Sequence, residues 1–330
     1  MRYLLRRIGF YLIALWAAVT FNFIIPRLMP GNPALAYLSK IRSQQVTAAQ
    51  YQTMLKEFGV DPHMPVWQQY WNYVSALLHG QLGISTSQFP SQVSTILAQS
   101  LPWTICLVGV AVTLSFLIGT LIGMVIAWRR GSWYDTATPP ILTFFSAVPY
   151  FWMALALIYI FGVNLRWFPA DGGYDIFGSQ PGWNLDFIGS AIQHAILPVI
   201  TLVIGSLAGW VLTMRNTMIT TLSEDYVMMA QAKGLVERRV MFSYAARNAV
   251  LPSVTSFSIS LGLVVSGALL TEIVFNYPGI GFYLYQGVQG DDYPLVEGCF
   301  LMIALAVLLA NFLSELLYVA LDPRVRQGRN

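Results

Sequence analysis

Charged side chains are scarce in this sequence: Asp, Glu, Lys and Arg make up 10% of 330 residues, whereas 56% are hydrophobic. A water-soluble fold cannot hide that much apolar surface, so lipid is expected to cover much of it. Lysine is scarcest. None of the three (Lys40, Lys56, Lys233) is followed by Ser or Thr, which excludes a phosphate-cradling Walker loop and with it an ATPase role. The three histidines, His63, His79 and His194, have no ligand-like spacing with Cys, Asp or Glu, which argues against a metal centre. The two cysteines, Cys106 and Cys299, make no disulfide framework and fit small apolar packing residues. Buried acid and base relays of the kind that drive proton- or sodium-coupled carriers are also missing from the long apolar runs. A membrane-anchored interaction protein without transport is the other class to weigh, and an ordered polar loop described below argues against it.

What the chain has is length without charge. A hydrocarbon core of about 30 Å needs about 20 apolar residues per helix. Six runs qualify: residues 8–25, 101–128, 136–165, 187–214, 248–271 and 298–321, the last interrupted by Glu315 near its polar end. The expected fold is therefore all-α, a polytopic membrane protein of six transmembrane helices. An even number of spans puts both ends on one side, and Lys and Arg decide which. The N-terminus, the second and fourth connections and the C-terminus carry 13 of the 18 cationic residues; the other face carries Arg27, Lys40, Arg42, Lys56 and Arg166. Both termini are expected in the cytoplasm, and the net charge of +3 reflects topology and no nucleic-acid patch. Arg2, Arg6 and Arg7 before an apolar run, with Ala34-Leu35-Ala36 beyond it, have the outline of a secretory signal. The run of 18 residues exceeds a signal core of roughly 7–15, so an anchor is expected.

The long outer connection between the first two spans predicts two short amphipathic helices. One starts at the capping box Thr47-Ala48-Ala49-Gln50 and stops at Gly59. The other starts at Pro65, sets Val66, Tyr70, Tyr73, Val74 and Leu77 at helical spacing, and ends at Gly80. The outer connections are acidic and aromatic, which marks Asp171, Tyr174, Tyr277, Asp291 and Asp292 as candidate contacts for an extracytoplasmic partner. Gly119 with Gly123, and Gly205 with Gly209, have the spacing of close helix packing. Pro102, Pro139, Pro140, Pro149, Pro198 and Pro252 are expected to kink spans or lie at their ends.

Residues 215–252 are polar yet helically periodic. Ser223-Glu224-Asp225 offers a cap and acid for a helix N-terminus; Tyr226 to Lys233 follows as a good helix former and Gly234 stops it. A second helix from Glu237 to about Asn248 would put Val240, Tyr244 and Arg247 on one side, with Arg238 and Arg239 at its start. A short helix presenting Tyr226, Met228, Met229 and Ala230 suits a groove on a partner, though a membrane-surface helix would have the same form.

This loop resembles that of the inner-membrane permeases of ABC importers, which read EAA, three residues, Gly, a spacer, then an aliphatic residue and Leu-Pro. Here the string is Met228-Met229-Ala230, Gln231-Ala232-Lys233, Gly234, then Val250-Leu251-Pro252. The replacement of Glu-Ala by Met228-Met229 and the longer spacer are similar to the peptide and nickel branch, as are Lys233-Gly234-Leu235 and Arg247-Asn248-Ala249. Pro30-Gly31-Asn32-Pro33, Gly80-Gln81-Leu82-Gly83, Tyr277-Pro278-Gly279-Ile280-Gly281, Asp292-Tyr293-Pro294 and Leu321-Asp322-Pro323-Arg324 extend the likeness along nearly the whole chain, to the first permease subunit of a pair.

The resemblance implies the type I importer permease fold. The N-terminal helix and outer insertion would occupy residues 1–100, a core of five spans with coupling loop 215–252 residues 101–321, and a tail residues 322–330. It implies a second permease subunit, two ATPase subunits that hold ATP and magnesium, an extracytoplasmic substrate-binding protein, and no cofactor on this chain. The implied coupling residues are Asp225, Tyr226, Met228, Met229, Ala230, Lys233, Gly234, Leu235 and Arg238. Ser256, Ser258, Ser260, Ser266 and Glu315 are candidates to line the path, against hydrogen bonding within helices. Dipeptides or oligopeptides are the expected cargo, with nickel chelates and oligosaccharides open.

Overall fold

The computed structural model describes residues 2–28, 64–262, 264 and 269–321; side chains of residues 2–6, 8, 262 and 313–321 lie outside the description. The elements are α1 (Arg2–Leu28), α2 (Val66–Leu78), α3 (Val93–Trp128), α4 (Trp133–Ala147), α5 (Tyr150–Leu157), α6 (Leu185–Leu222), α7 (Asp225–Ala232), α8 (Glu237–Arg239), α9 (Arg247–Ala249), α10 (Leu251–Gly262), α11 (Leu269–Val274), α12 (Ile280–Gln289) and α13 (Tyr293–Leu321). Wider π-helical turns occupy Ile158–Asn164 after α5 and Val240–Ala246 between α8 and α9. No strand occurs among the described residues, so the all-α expectation holds.

Among the described residues four helices are long and apolar enough to cross a membrane: Gly9–Leu28, Val93–Trp128, Leu185–Leu222 and Tyr293–Phe312. At about 1.5 Å per residue, the 36 residues of α3 and 38 of α6 reach about 54 and 57 Å, well past a hydrocarbon core. The run expected as one span over residues 136–165 is instead two helices, bent by 95°. The cause is Pro149: it lacks a backbone donor and pushes the residue before it out of helical geometry, and Val148 is extended (φ −73°, ψ 125°). Counting that pair as one gives up to five spans among the described residues; the run expected as the fifth span, residues 248–271, shows there only the shorter apolar helix Leu251–Leu261, so the expected count of six is not reached.

The chain divides into two compact units. The first takes residues 1–104, 265–269 and 278–309. Its core joins Val93, Ile96 and Leu97 of α3 to Ile280 and Leu284 of α12 and Leu295, Val296 and Cys299 of α13. A polar cluster ties α2 to this unit. Thr20 and Tyr70 share a hydrogen bond of 2.8 Å, and Asn22 Nδ2 donates to Tyr73 Oη (2.9 Å) and to the Glu297 carbonyl (2.6 Å). Arg27 Nη1 donates to Glu297 Oε1 at 2.7 Å and lies over the Phe23 ring. Burial raises the Tyr73 phenol above its ordinary range. The second expected amphipathic helix is thus present, with Tyr70, Tyr73, Val74 and Leu77 turned inward, while Val66, expected on the same face, is exposed, as are Trp67 and Trp71. The first lies outside the described residues, as do Ser266, the side chain of Glu315 and residues 322–330.

The second unit takes residues 105–264, 270–277 and 310–330. A Cβ on Gly123 would meet the Val211 carbonyl at 2.7 Å and Met214 Cβ at 2.8 Å, and one on Gly119 would meet Trp210 Cβ at 2.5 Å. Both glycines therefore let α3 and α6 approach backbone to backbone, as their spacing suggested. Gly205 admits the Tyr150 ring, whereas Gly209 has open space around it. Phe257 of α10 stacks on Phe116 of α3 at 4.4 Å.

Candidate functional site

The polar loop after α6 folds into short helices anchored on the core of the second unit. Its first helix, α7, begins at Glu224, whose carbonyl accepts from the Val227 and Met228 amides; no side chain caps it. Ser223, expected as a cap, instead donates to the Thr220 carbonyl and closes α6. At the far end Gly234 takes φ 72°, the Gly234 amide donates to the Gln231 carbonyl at 2.9 Å and the Leu235 amide to the Ala230 carbonyl at 3.4 Å. That pair of bonds is the Schellman stop, which needs a residue comfortable at positive φ and an apolar residue after it. Leu235 supplies the latter by packing onto the core.

Spacing decides which face is anchored. Val227 and Ala230, three apart, are buried among Met214 and Met218 of α6, Ala127 of α3, and Val240, Ala245, Ala246 and Ala249. Ala230 was expected on the presenting face; at 3% exposure it is on the anchored one. Tyr226, Met228 and Met229 remain outward at 38%, 48% and 60% exposure. Asp225, Lys233 and Arg238 are exposed as well.

The return segment departs from the expected regular helix. In a π turn the hydrogen bonds span five residues and the turn is wider than in an α-helix; Val240 and Ala245 both enter the core, Tyr244 is half-buried and Arg247 is exposed. Asn248 Nδ2 donates to Tyr226 Oη at 2.8 Å, closing α7 against this segment over a cleft lined by Arg239, Ser243, Tyr244 and Arg247. Residue spacing alone did not point to the Asn248–Tyr226 bond, because the π turns shift every register after Val240.

The outer candidates separate by burial. Asp171 is exposed and Tyr174 half-buried against Phe187, and both line a cavity of about 810 Å³ with Asp175, Asp186 and His194. Asp291 is half-buried. Tyr277 and Asp292 are buried at 2% and 0% exposure and offer no surface, which corrects their assignment as contacts. Burial raises the Tyr277 phenol above its ordinary range, with Cys106 and Glu272 adding to it. Asp292 is a structural cap: its Oδ2 accepts from Ser85 Oγ, the Ser87 amide (2.8 Å) and Ser87 Oγ (2.6 Å), and its Oδ1 from the Leu295 amide (3.1 Å). Glu272 is buried too, so the connections expected on the outer face expose less acid than their composition implied.

Among the serines of α10, Ser256 is exposed and Ser258 and Ser260 half-buried. Ser258 Oγ donates to the Val254 carbonyl and Ser260 Oγ to the Ser256 carbonyl, so helix bonds satisfy both. Ser256 and Ser260 share one face and Ser258 lies nearly opposite.

The pattern of the binding-protein-dependent transport system inner membrane component family matches residues 119–327. The chain is 34% identical to the di/tripeptide transport system permease protein of Pseudomonas aeruginosa over 339 residues, covering 99% of each. It is 33% identical to the dipeptide transport system permease protein of Escherichia coli K12 over 349 residues, covering all of both. A dipeptide transport system permease protein of Alkalihalophilus pseudofirmus is 31% identical over 98% of this chain and 99% of its own. With the apolar helices and the anchored loop, these matches make the chain a member of the family of binding-protein-dependent transport system inner membrane components.

Proposed function

We propose that this chain is a permease subunit of an ATP-driven, binding-protein-dependent importer of dipeptides or oligopeptides, that it forms half of the translocation path, and that α7 couples it to an ATPase. The observation that carries the coupling role is the division of α7 into a face keyed into the ends of α3 and α6 and a face that presents Tyr226, Met228 and Met229. An exposed apolar knob on a rigid mount suits a partner's groove, and a rigid mount is what turns the partner's closure into movement of spans. Asp225, Lys233 and Arg238 would flank the groove, and Gly234 and Leu235 would hold the joint.

In this reading both termini are cytoplasmic, a second permease subunit completes the path, and two ATPase subunits bind ATP and magnesium. A substrate-binding protein docks on the opposite face, with Asp171, Tyr174 and Asp291 as its candidate contacts. Residues 1–100, 101–321 and 322–330 serve as anchor and outer insertion, permease core and tail. Ser256, exposed where Ser258 and Ser260 are half-buried, is the leading candidate to meet passing cargo. The full-length likeness to permeases named for dipeptides and tripeptides supports the peptide assignment.

The test is uptake of a radiolabelled dipeptide into proteoliposomes holding all four membrane and ATPase subunits, with loaded binding protein outside and ATP inside. Uptake that needs both ATP and binding protein is expected. Uptake driven by a proton gradient without ATP would instead make the chain a secondary transporter.

A further inference from the structure

Asp135 is a buried carboxylate of the second unit for which the coupling account has so far given no role. It lies in the first turn of α4 at 7% exposure. Its Oδ1 accepts from Arg215 Nε at 2.6 Å, and its Oδ2 accepts from the amide of Gly131, which takes φ 81° in the turn between α3 and α4. The Asp135 amide in turn donates to Ser132 Oγ. One side chain therefore closes the α3–α4 turn and fastens it to α6.

The position of that fastening matters. Arg215 follows Met214, whose side chain is in the core under α7, and Met124, Ala127 and Trp128 at the end of α3 pack on the same core. A displacement of α7 thus reaches α3 and α6 through apolar contact. None of the residues in that core comes from α4. Helix α4 packs along α6, but apolar ridges and grooves tolerate sliding with a modest change in energy, whereas a short ion pair with a second hydrogen bond fixes register. Beyond α4 stands the 95° joint at Pro149.

We propose that Asp135 and Arg215 form the latch that makes α4, and the bent pair it begins, move with α7. Asp135 is then a positioning residue for coupling: it touches neither ATP nor cargo, and its loss lets the ATPase cycle without carrying the bent pair through the transport movement. The inference rests on the coupling reading above and adds a component to it.

The experiment uses the complete importer in proteoliposomes and reads dipeptide taken up per ATP hydrolysed. Asp135→Asn keeps size and a weak acceptor but removes the charge. It is expected to lower that ratio about fivefold or more, in line with the size of allosteric couplings, while ATP turnover stays within about twofold. In a chain with Cys106 and Cys299 replaced by Ala, Asp135→Cys with Arg215→Cys should show the same loss. Joining the two thiols with a short bis-thiosulfonate should restore about half the ratio or more, and reductant should abolish the gain; a merely stabilising role would not respond to a tie in this way. A wild-type ratio in Asp135→Asn, or a proportional fall of uptake and ATP turnover that the covalent tie fails to reverse, overturns the latch. Met229→Cys crosslinking to the ATPase in the same preparations separates the two claims. Capture with an unchanged ratio overturns the latch alone, and absence of capture in the otherwise wild-type chain overturns the coupling reading and the latch with it.

Discussion

Gly123→Ala tests how tightly the coupling loop is mounted. The added Cβ would lie 2.7 Å from the Val211 carbonyl, 2.8 Å from Met214 Cβ and 3.1 Å from the Arg215 amide. Two of the three are backbone atoms of α6, so no side-chain rotation relieves them. Restoring ordinary contact at about 3.4 Å requires α3 and α6 to part by about 0.7 Å, which forfeits about a quarter to a half of each dispersion contact along the seam. Overpacking of this kind costs about 1–3 kcal/mol. For a chain of this size that is a fall of about 1.5–4.5 °C in apparent Tm, read by intrinsic tryptophan fluorescence in nanodiscs at one scan rate. Gly209→Ala is the control: nothing lies within 4 Å of its Cβ, and alanine's helix propensity makes the change neutral or mildly stabilising. Gly123→Ala with the Tm of Gly209→Ala would refute the backbone contact, and with it the rigid mount of α7.

Three further outcomes follow from the same geometry. Arg27→Ala strands the nearly buried Glu297 carboxylate and should cost about 3–5 kcal/mol, whereas Arg27→Met with Glu297→Met should recover most of it, both measured by thermal unfolding; equal loss in the single and double variants would show that the pair's charge is not the issue. Asp292→Ala removes four hydrogen bonds at the start of α13 and should lower stability by about 2–3 kcal/mol and open residues 83–91 to limited proteolysis, which an uncapped but intact loop would resist. Gly234→Ala meets no steric neighbour, so its cost is only the left-handed backbone, about 1–2 kcal/mol, and Gly234→Asn should cost less in the same melt.

The sequence carried the large-scale features because they depend on run length and period. Charge-free runs marked the membrane helices, and the Tyr226–Gly234 string marked a helix with a glycine stop. Contact between distant residues was less legible. Asp135 stands immediately before an apolar run and Arg215 immediately after another, so each looked like a flanking charge until folding brought them to 2.6 Å. Acidic residues between the last spans looked like an exposed acidic surface, yet Asp292 and Glu272 are buried, because composition says nothing of hydrogen-bonded caps. The Pro149 break was readable as a kink but not as a 95° joint, since the angle depends on the packing of both halves.

The most direct measurement of the central claim is sided crosslinking in membranes that express the full importer, from Met229→Cys on α7 and from Phe177→Cys in the connection before α6, where the side chain is fully exposed. The account predicts that Met229→Cys captures an ATPase subunit and that Phe177→Cys captures none. Capture of the ATPase by Phe177→Cys, or its copurification with no crosslink at Met229→Cys, would contradict it.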